Sequence, residues 1–115
     1  MVISGYIPEE GDIVWLDLEP QAGHEQKGRR PALVLTPSDY NRIGLMIICP
    51  ITNQEKGYPF EVSLKGIRIK TTGAVLADQV KSIDWKARNA DFKEKMPDVL
   101  ISKVKDRIAL LLQLS

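Results

Sequence analysis

The chain has 115 residues, of which 43% are hydrophobic and 27% charged, with one Cys, one His and a formal net charge of +1. That length suits one domain with a core of its own, so residues 1–115 are read as a single domain. A lone Cys excludes an internal disulfide, the first ten residues lack the basic and apolar regions of a signal peptide, and the longest apolar tract, residues 108–112, is far too short to cross a bilayer; the expected location is the cytoplasm.

Residues 11–18 alternate, with Val14, Leu16 and Leu18 on one face and Ile13, Trp15 and Asp17 on the other, which predicts a strand with one core face and one mixed face. Residues 19–30 follow with one Pro, two Gly and no apolar periodicity, long for a hairpin connection and of the kind that serves as a functional, mobile loop. Residues 31–36 are a short apolar run opened by Pro, which a strand start tolerates. A turn at 37–41 leads to a third strand at 45–52, apolar almost throughout and therefore covered on both sides. After a polar turn at 53–57, Phe60, Val62 and Leu64 alternate with Glu61, Ser63 and Lys65 as a half-buried strand. Residues 66–72 form a basic, β-prone excursion, and 73–80 a further buried strand, giving at least five. From Pro97 onward, Leu100 or Ile101, Val104, Ile108, Leu111 and Leu112 recur three or four apart and predict a C-terminal helix of three to four turns. The fold class is mainly β with a C-terminal helix: a small barrel-like sheet closed on one side by that helix.

Net charge conceals an asymmetry. Residues 1–26 hold six acids and no Lys or Arg, whereas the remainder carries all 16 basic residues against nine acids, which allows a cationic face for a polyanion. A protein-built zinc site needs clustered His and Cys, and one of each cannot supply it. Cys49 lies in an apolar strand and reads as an inert buried thiol; His24 reads as a solvated loop residue. No Walker loop or GxGxxG pattern is present, so neither metal nor nucleotide cofactor is expected. What remains is a polar set near strand ends: His24, Glu25, Gln26, Arg29, Arg30, Thr52, Asn53, Gln54, Asp78 and Gln79. An Arg fork matches a phosphate, and a Thr hydroxyl adds a short, stiff donor.

The sequence resembles the MazF/PemK family of toxin endoribonucleases. The resemblance is carried, in the family's order, by Gly11-Asp12-Ile13-Val14-Trp15, by Gly23-His24-Glu25-Gln26-Lys27-Gly28-Arg29-Arg30-Pro31-Ala32-Leu33-Val34-Leu35, by Cys49-Pro50-Ile51-Thr52-Asn53, by Lys56-Gly57-Tyr58-Pro59-Phe60-Glu61-Val62 and by Leu76-Ala77-Asp78-Gln79-Val80-Lys81-Ser82. It implies an SH3-like barrel of the kind shared with CcdB-like toxins, a homodimer, ribosome-independent cleavage of single-stranded RNA, and a cognate MazE-like antitoxin whose acidic and apolar tail fills the RNA groove. The family's catalytic Arg falls on Arg30 and its catalytic Thr on Thr52. The match is weakest from about Lys65 to Thr72 and past Asp91, so substrate preference does not carry over.

Metal-independent scission can use the substrate's 2′-hydroxyl as nucleophile, leaving a 2′,3′-cyclic phosphate and a 5′-hydroxyl. On this reading Arg30 clamps the phosphoryl group and Thr52 donates to a non-bridging oxygen. A free guanidinium rarely serves as a base near neutrality, which leaves Glu25 or His24 as loop candidates for that role. Trp15, Asn53, Gln54, Asp78 and Gln79 are candidate base contacts, Lys56, Arg68 and Lys70 candidate backbone contacts, and Gln26 and Arg29 further candidate RNA-binding residues. The competing class is a non-catalytic barrel that binds a protein target, as CcdB-like toxins bind DNA gyrase, since fold alone does not separate the two. A DNA-reading regulator is a third class, disfavoured because the expected helix is too apolar to lie bare in a major groove.

Overall fold

The structure is a computed structural model that describes residues 5–18 and 29–114. The loop expected at 19–30 therefore falls mostly outside the described residues, and His24, Glu25 and Gln26 with it. Among the described residues seven strands form: β1 (Asp12–Leu16), β2 (Arg30–Val34), β3 (Leu45–Thr52), β4 (Glu61–Ser63), β5 (Ala74–Leu76), β6 (Lys81–Asp84) and β7 (Asp91–Lys95). A one-turn helix α1 (Ser38–Asn41) stands where a turn was expected, and α2 (Asp98–Leu112) where the C-terminal helix was.

All pairings are antiparallel, in the order β4-β5-β3-β2-β1-β7, with β6 on β3. β3 organises the sheet, because its eight residues are long enough to pair with β2 along one edge and with β6 and then β5 along the other. The strands β6 and β7 have no apolar run and escaped the sequence reading; β6 buries only Ile83. The strand expected at 73–80 is cut to three residues and continues as a 3₁₀ turn at Ala77–Gln79.

Side-chain alternation divides the core between the two faces of the sheet. Ile13, Leu33, Cys49, Ile51, Val62 and Val75 meet Leu100 and Val104 of α2 on one face; Val14, Leu16, Ala32, Val34, Met46 and Ile48 meet Ile83 and Trp85 on the other. This explains the unbroken apolar run of β3. It also corrects the one-sided expectation for β1, since Ile13 is fully buried under α2. Trp85 belongs to the core, and its indole N–H donates to the Asn41 carbonyl at 2.7 Å.

Helix α2 begins after Pro97 and ends where Gln113 turns left-handed at φ 58°. The N–H groups of Gln113 and Leu114 then bond to the carbonyls of Leu110 and Ala109, closing the last turn as a Schellman motif. The expected apolar stripe is buried only in its first half: Leu100 and Val104 are covered, whereas Leu111 and Leu112 are exposed because the sheet ends before they do. Among the described residues no helix is long and apolar enough to cross a membrane.

Candidate active site

The β2–β3 ladder pairs Val34 with Ile48, Leu33 with Cys49 and Ala32 with Pro50. Beyond the last of these pairs β2 runs on to Arg30, its first residue, and β3 to Thr52, its last. By alternation Arg30 shares the face of Ala32 and Thr52 that of Pro50, so two residues 22 positions apart in sequence lie at the same end of the β2–β3 ladder. Arg30 is exposed, and among the described residues its guanidinium has no acceptor. The Thr52 oxygen accepts the Gln54 backbone N–H at 3.1 Å, which leaves the hydroxyl hydrogen available to donate outward. A cationic fork and a directed hydroxyl are donors of the kind that suit a phosphodiester.

Asn53, Gln54 and Lys56 continue from Thr52 on an exposed loop with a braced backbone. The N–H groups of Lys56 and Gly57 donate to the Glu61 carboxylate at 3.0 and 2.8 Å, and Arg107 of α2 donates to the carbonyls of Pro59 and Glu61. Glu61 is 7% exposed, a correction to its expected place on the solvent face of a half-buried strand: its carboxylate turns in to satisfy those two donors. Arg68 and Lys70 are exposed on the segment that leads into β5.

Four expected residues lie elsewhere. Trp15 pairs with Pro31 and Asp91 and, by alternation, stands on the opposite face from Arg30, with the Lys93 ammonium 5.2 Å from its ring centroid. Asp78 and Gln79 are exposed on the 3₁₀ turn, which runs away from Thr52 towards Cys49. Burial, with a smaller contribution from the Asp78 charge, pushes the Cys49 thiol up to about 12, as befits an inert buried group.

Arg29 is committed to the scaffold. Its guanidinium bonds Asp17 at 3.2 Å, Asp91 at 2.9 Å and the carbonyls of Trp15 and Asn89. Arg88 donates to the carbonyls of Asp17 and Leu18, and Asn89 to the Asp17 carboxylate. The described residues on either side of the 19–28 connection are thereby pinned to the β6–β7 turn.

A small antiparallel sheet that carries an arginine and a hydroxyl donor at one end of a strand pair offers donors suited to an anionic group, and comparison with known proteins makes the class specific. The chain belongs to the family described as "PemK-like, MazF-like toxin of type II toxin-antitoxin system", which matches residues 9–112. It is 45% identical over 112 residues to the endoribonuclease toxin MazF of Escherichia coli K12, covering 96% of this chain and 99% of that one. It is 41% identical to the endoribonuclease PemK of Escherichia coli, over 90% of this chain and 81% of PemK. The structure matches MazF in a MazE–MazF crystal structure from Deinococcus radiodurans with a TM-score of 0.88, at 48% identity over 96% of this chain and 99% of that one. The expected fold class holds, as an open rather than closed sheet.

Proposed function

We infer that this chain is a toxin endoribonuclease that cleaves single-stranded RNA without a metal ion, acts in the cytoplasm as a single-domain subunit of a homodimer, and is held inactive by a MazE-like antitoxin. The observation that carries the reading is the placement of Arg30 and Thr52 at the same end of the β2–β3 ladder in a chain whose relatives are named as endoribonucleases. The gyrase-binding alternative gives way for the same reason.

In the proposed reaction the ribose 2′-oxygen attacks phosphorus in line while the bond to the 5′-oxygen breaks. The 2′ proton passes to a base on the 19–28 segment, Glu25 or His24, and the departing 5′-oxygen takes up a proton. Arg30 and Thr52 hold the non-bridging oxygens as negative charge grows on them. The Thr52 hydroxyl is oriented before substrate arrives through its bond from Gln54, and removing one preorganised donor of this kind costs about 10²–10³ in rate. Asn53, Gln54 and Lys56 flank the scissile position as base and backbone contacts, with Arg68 and Lys70 along the neighbouring segment.

The test is digestion of unstructured RNA by the purified protein in EDTA, with both product ends determined. Cyclic-phosphate and 5′-hydroxyl ends are expected, together with resistance of an oligonucleotide carrying a single 2′-deoxy sugar at the cut site. Cleavage at that deoxy position overturns the mechanism.

A further inference from the structure

Gly73 immediately precedes β5, whose first residue, Ala74, pairs with Thr52. Its φ of +104° belongs to the left-handed region that side chains rarely adopt. A Cβ at this position would stand 2.6 Å from Asn53 Cα and 2.7 Å from the Thr52 carbonyl carbon, and nearer still to the Thr52 carbonyl oxygen. These are backbone atoms, with no rotamer through which to move aside. The Gly73 Cα is thus seated directly against the Thr52–Asn53 peptide.

The segment that delivers Gly73 is itself held. The Glu94 carboxylate of β7 accepts the Lys70 N–H at 3.0 Å, the Thr71 N–H at 2.7 Å and the Thr71 hydroxyl at 2.5 Å, while the Lys93 ammonium donates to that hydroxyl at 2.8 Å. On the other side the Gly73 carbonyl accepts the Leu64 N–H at 2.9 Å. The strap from Lys70 to Gly73 is therefore fixed from β7 and from β4's end, and its last residue bears on the peptide that carries the Thr52 side chain.

We infer that Gly73 is a positioning residue for Thr52: the side-chain-free contact at Gly73, braced by Glu94, sets where the Thr52 hydroxyl stands. The inference rests on the reading of Thr52 as the donor to the phosphoryl oxygen. Displacement of a reacting group by about 1 Å can cost on the order of 10²-fold in rate, and a methyl group on Gly73 requires a shift of that scale in the Thr52–Asn53 peptide.

The experiment is a double-variant cycle with Gly73→Ala and Thr52→Ala, singly and together. It is read as kcat and KM on a synthetic single-stranded RNA that contains a cleavage site mapped on a long transcript, with folding checked by circular dichroism. Gly73→Ala is expected to lower kcat at least tenfold with KM within about threefold, and to lower it no further once Thr52 is Ala, because the two act as one unit. Wild-type kcat in folded Gly73→Ala, or the same loss in both backgrounds, overturns the inference. If Gly73→Ala does not fold, Glu94→Gln replaces it in the same cycle: a several-fold loss that needs Thr52 supports the inference, and no loss, or a loss independent of Thr52, overturns it. Full activity of Thr52→Ala would instead remove the catalytic reading of Thr52, an outcome visible in that single variant alone.

Discussion

Glu94 offers the clearest quantitative handle on how the site is held. Burial by itself would raise its pKa, but the Thr71 hydroxyl, the N–H groups of Lys70 and Thr71 and the charge of Lys93 favour the anion and bring it down from 4.5 to about 2. A carboxylate more acidic in the folded than in the unfolded chain stabilises the fold fully above its unfolded pKa, and that contribution is lost as pH falls through the folded value. The shift corresponds to about 3 kcal/mol, nearer 2 after screening at the 17% of the side chain that remains exposed. Glu94→Gln keeps the shape and removes the charge. Urea denaturation followed by tryptophan fluorescence, at one protein concentration, should place the variant about 2 kcal/mol below wild type at pH 7, a gap that narrows between pH 4.5 and pH 2 and closes at the acid end. A gap of the same size at pH 3 and pH 7, or one below about 0.5 kcal/mol at pH 7, refutes the reasoning.

The adjacent arginines should behave in opposite ways. Arg29→Ala lowers the melting temperature on the order of 5 °C while kcat stays within about tenfold; Arg30→Ala leaves melting unchanged and lowers kcat about a hundredfold or more, so thermal melts and RNA cleavage on the same preparations separate them. Leu100→Ala, which empties a 2% exposed position between α2 and the sheet, should cost about 2–5 kcal/mol in urea denaturation. Cys49, with its thiol pushed up to about 12, should resist an aromatic disulfide reagent at pH 7 until urea unfolds the chain; stoichiometric reaction in native buffer contradicts that burial.

The legible parts of the sequence were those where burial leaves a periodic trace. β3 occupies the predicted span because both its faces are covered, and α2 begins at the predicted proline because Leu100 and Val104 are packed. β7 left no such trace: Asp91, Phe92 and Lys95 are exposed, and it exists because β1 offers an edge to pair with. Glu61 reads as a solvent-facing acid until the two backbone donors it serves are seen in place. The assignment of Arg30 and Thr52 came from motif resemblance, whereas the separation of Arg30 from Arg29 needs the third dimension. Successive residues point to opposite sides of a strand, and only one of these two meets Asp17 and Asp91.

The position of the Arg30–Thr52 pair follows from where the sheet stops being able to pair. Leu35 donates to Ile47 on this side of β2, and two further steps along Pro31 stands where a donor to β3 is due but has no N–H, so the β2–β3 ladder ends at Ala32 and Pro50. On its other edge β3 stays paired with β5 through Thr52, which keeps that residue anchored just where its link to β2 has been released. On the proposed reading a ligand oxygen held by Arg30 and Thr52 displaces no β2–β3 ladder hydrogen bond, and the pairing with Ala74 anchors the backbone that carries the hydroxyl. With Arg30 and Thr52 read as the proposed phosphate contacts, the anchored edge of β3 holds one donor, the Thr52 hydroxyl, before the substrate arrives, the condition under which a hydrogen-bond donor contributes to rate rather than to binding alone.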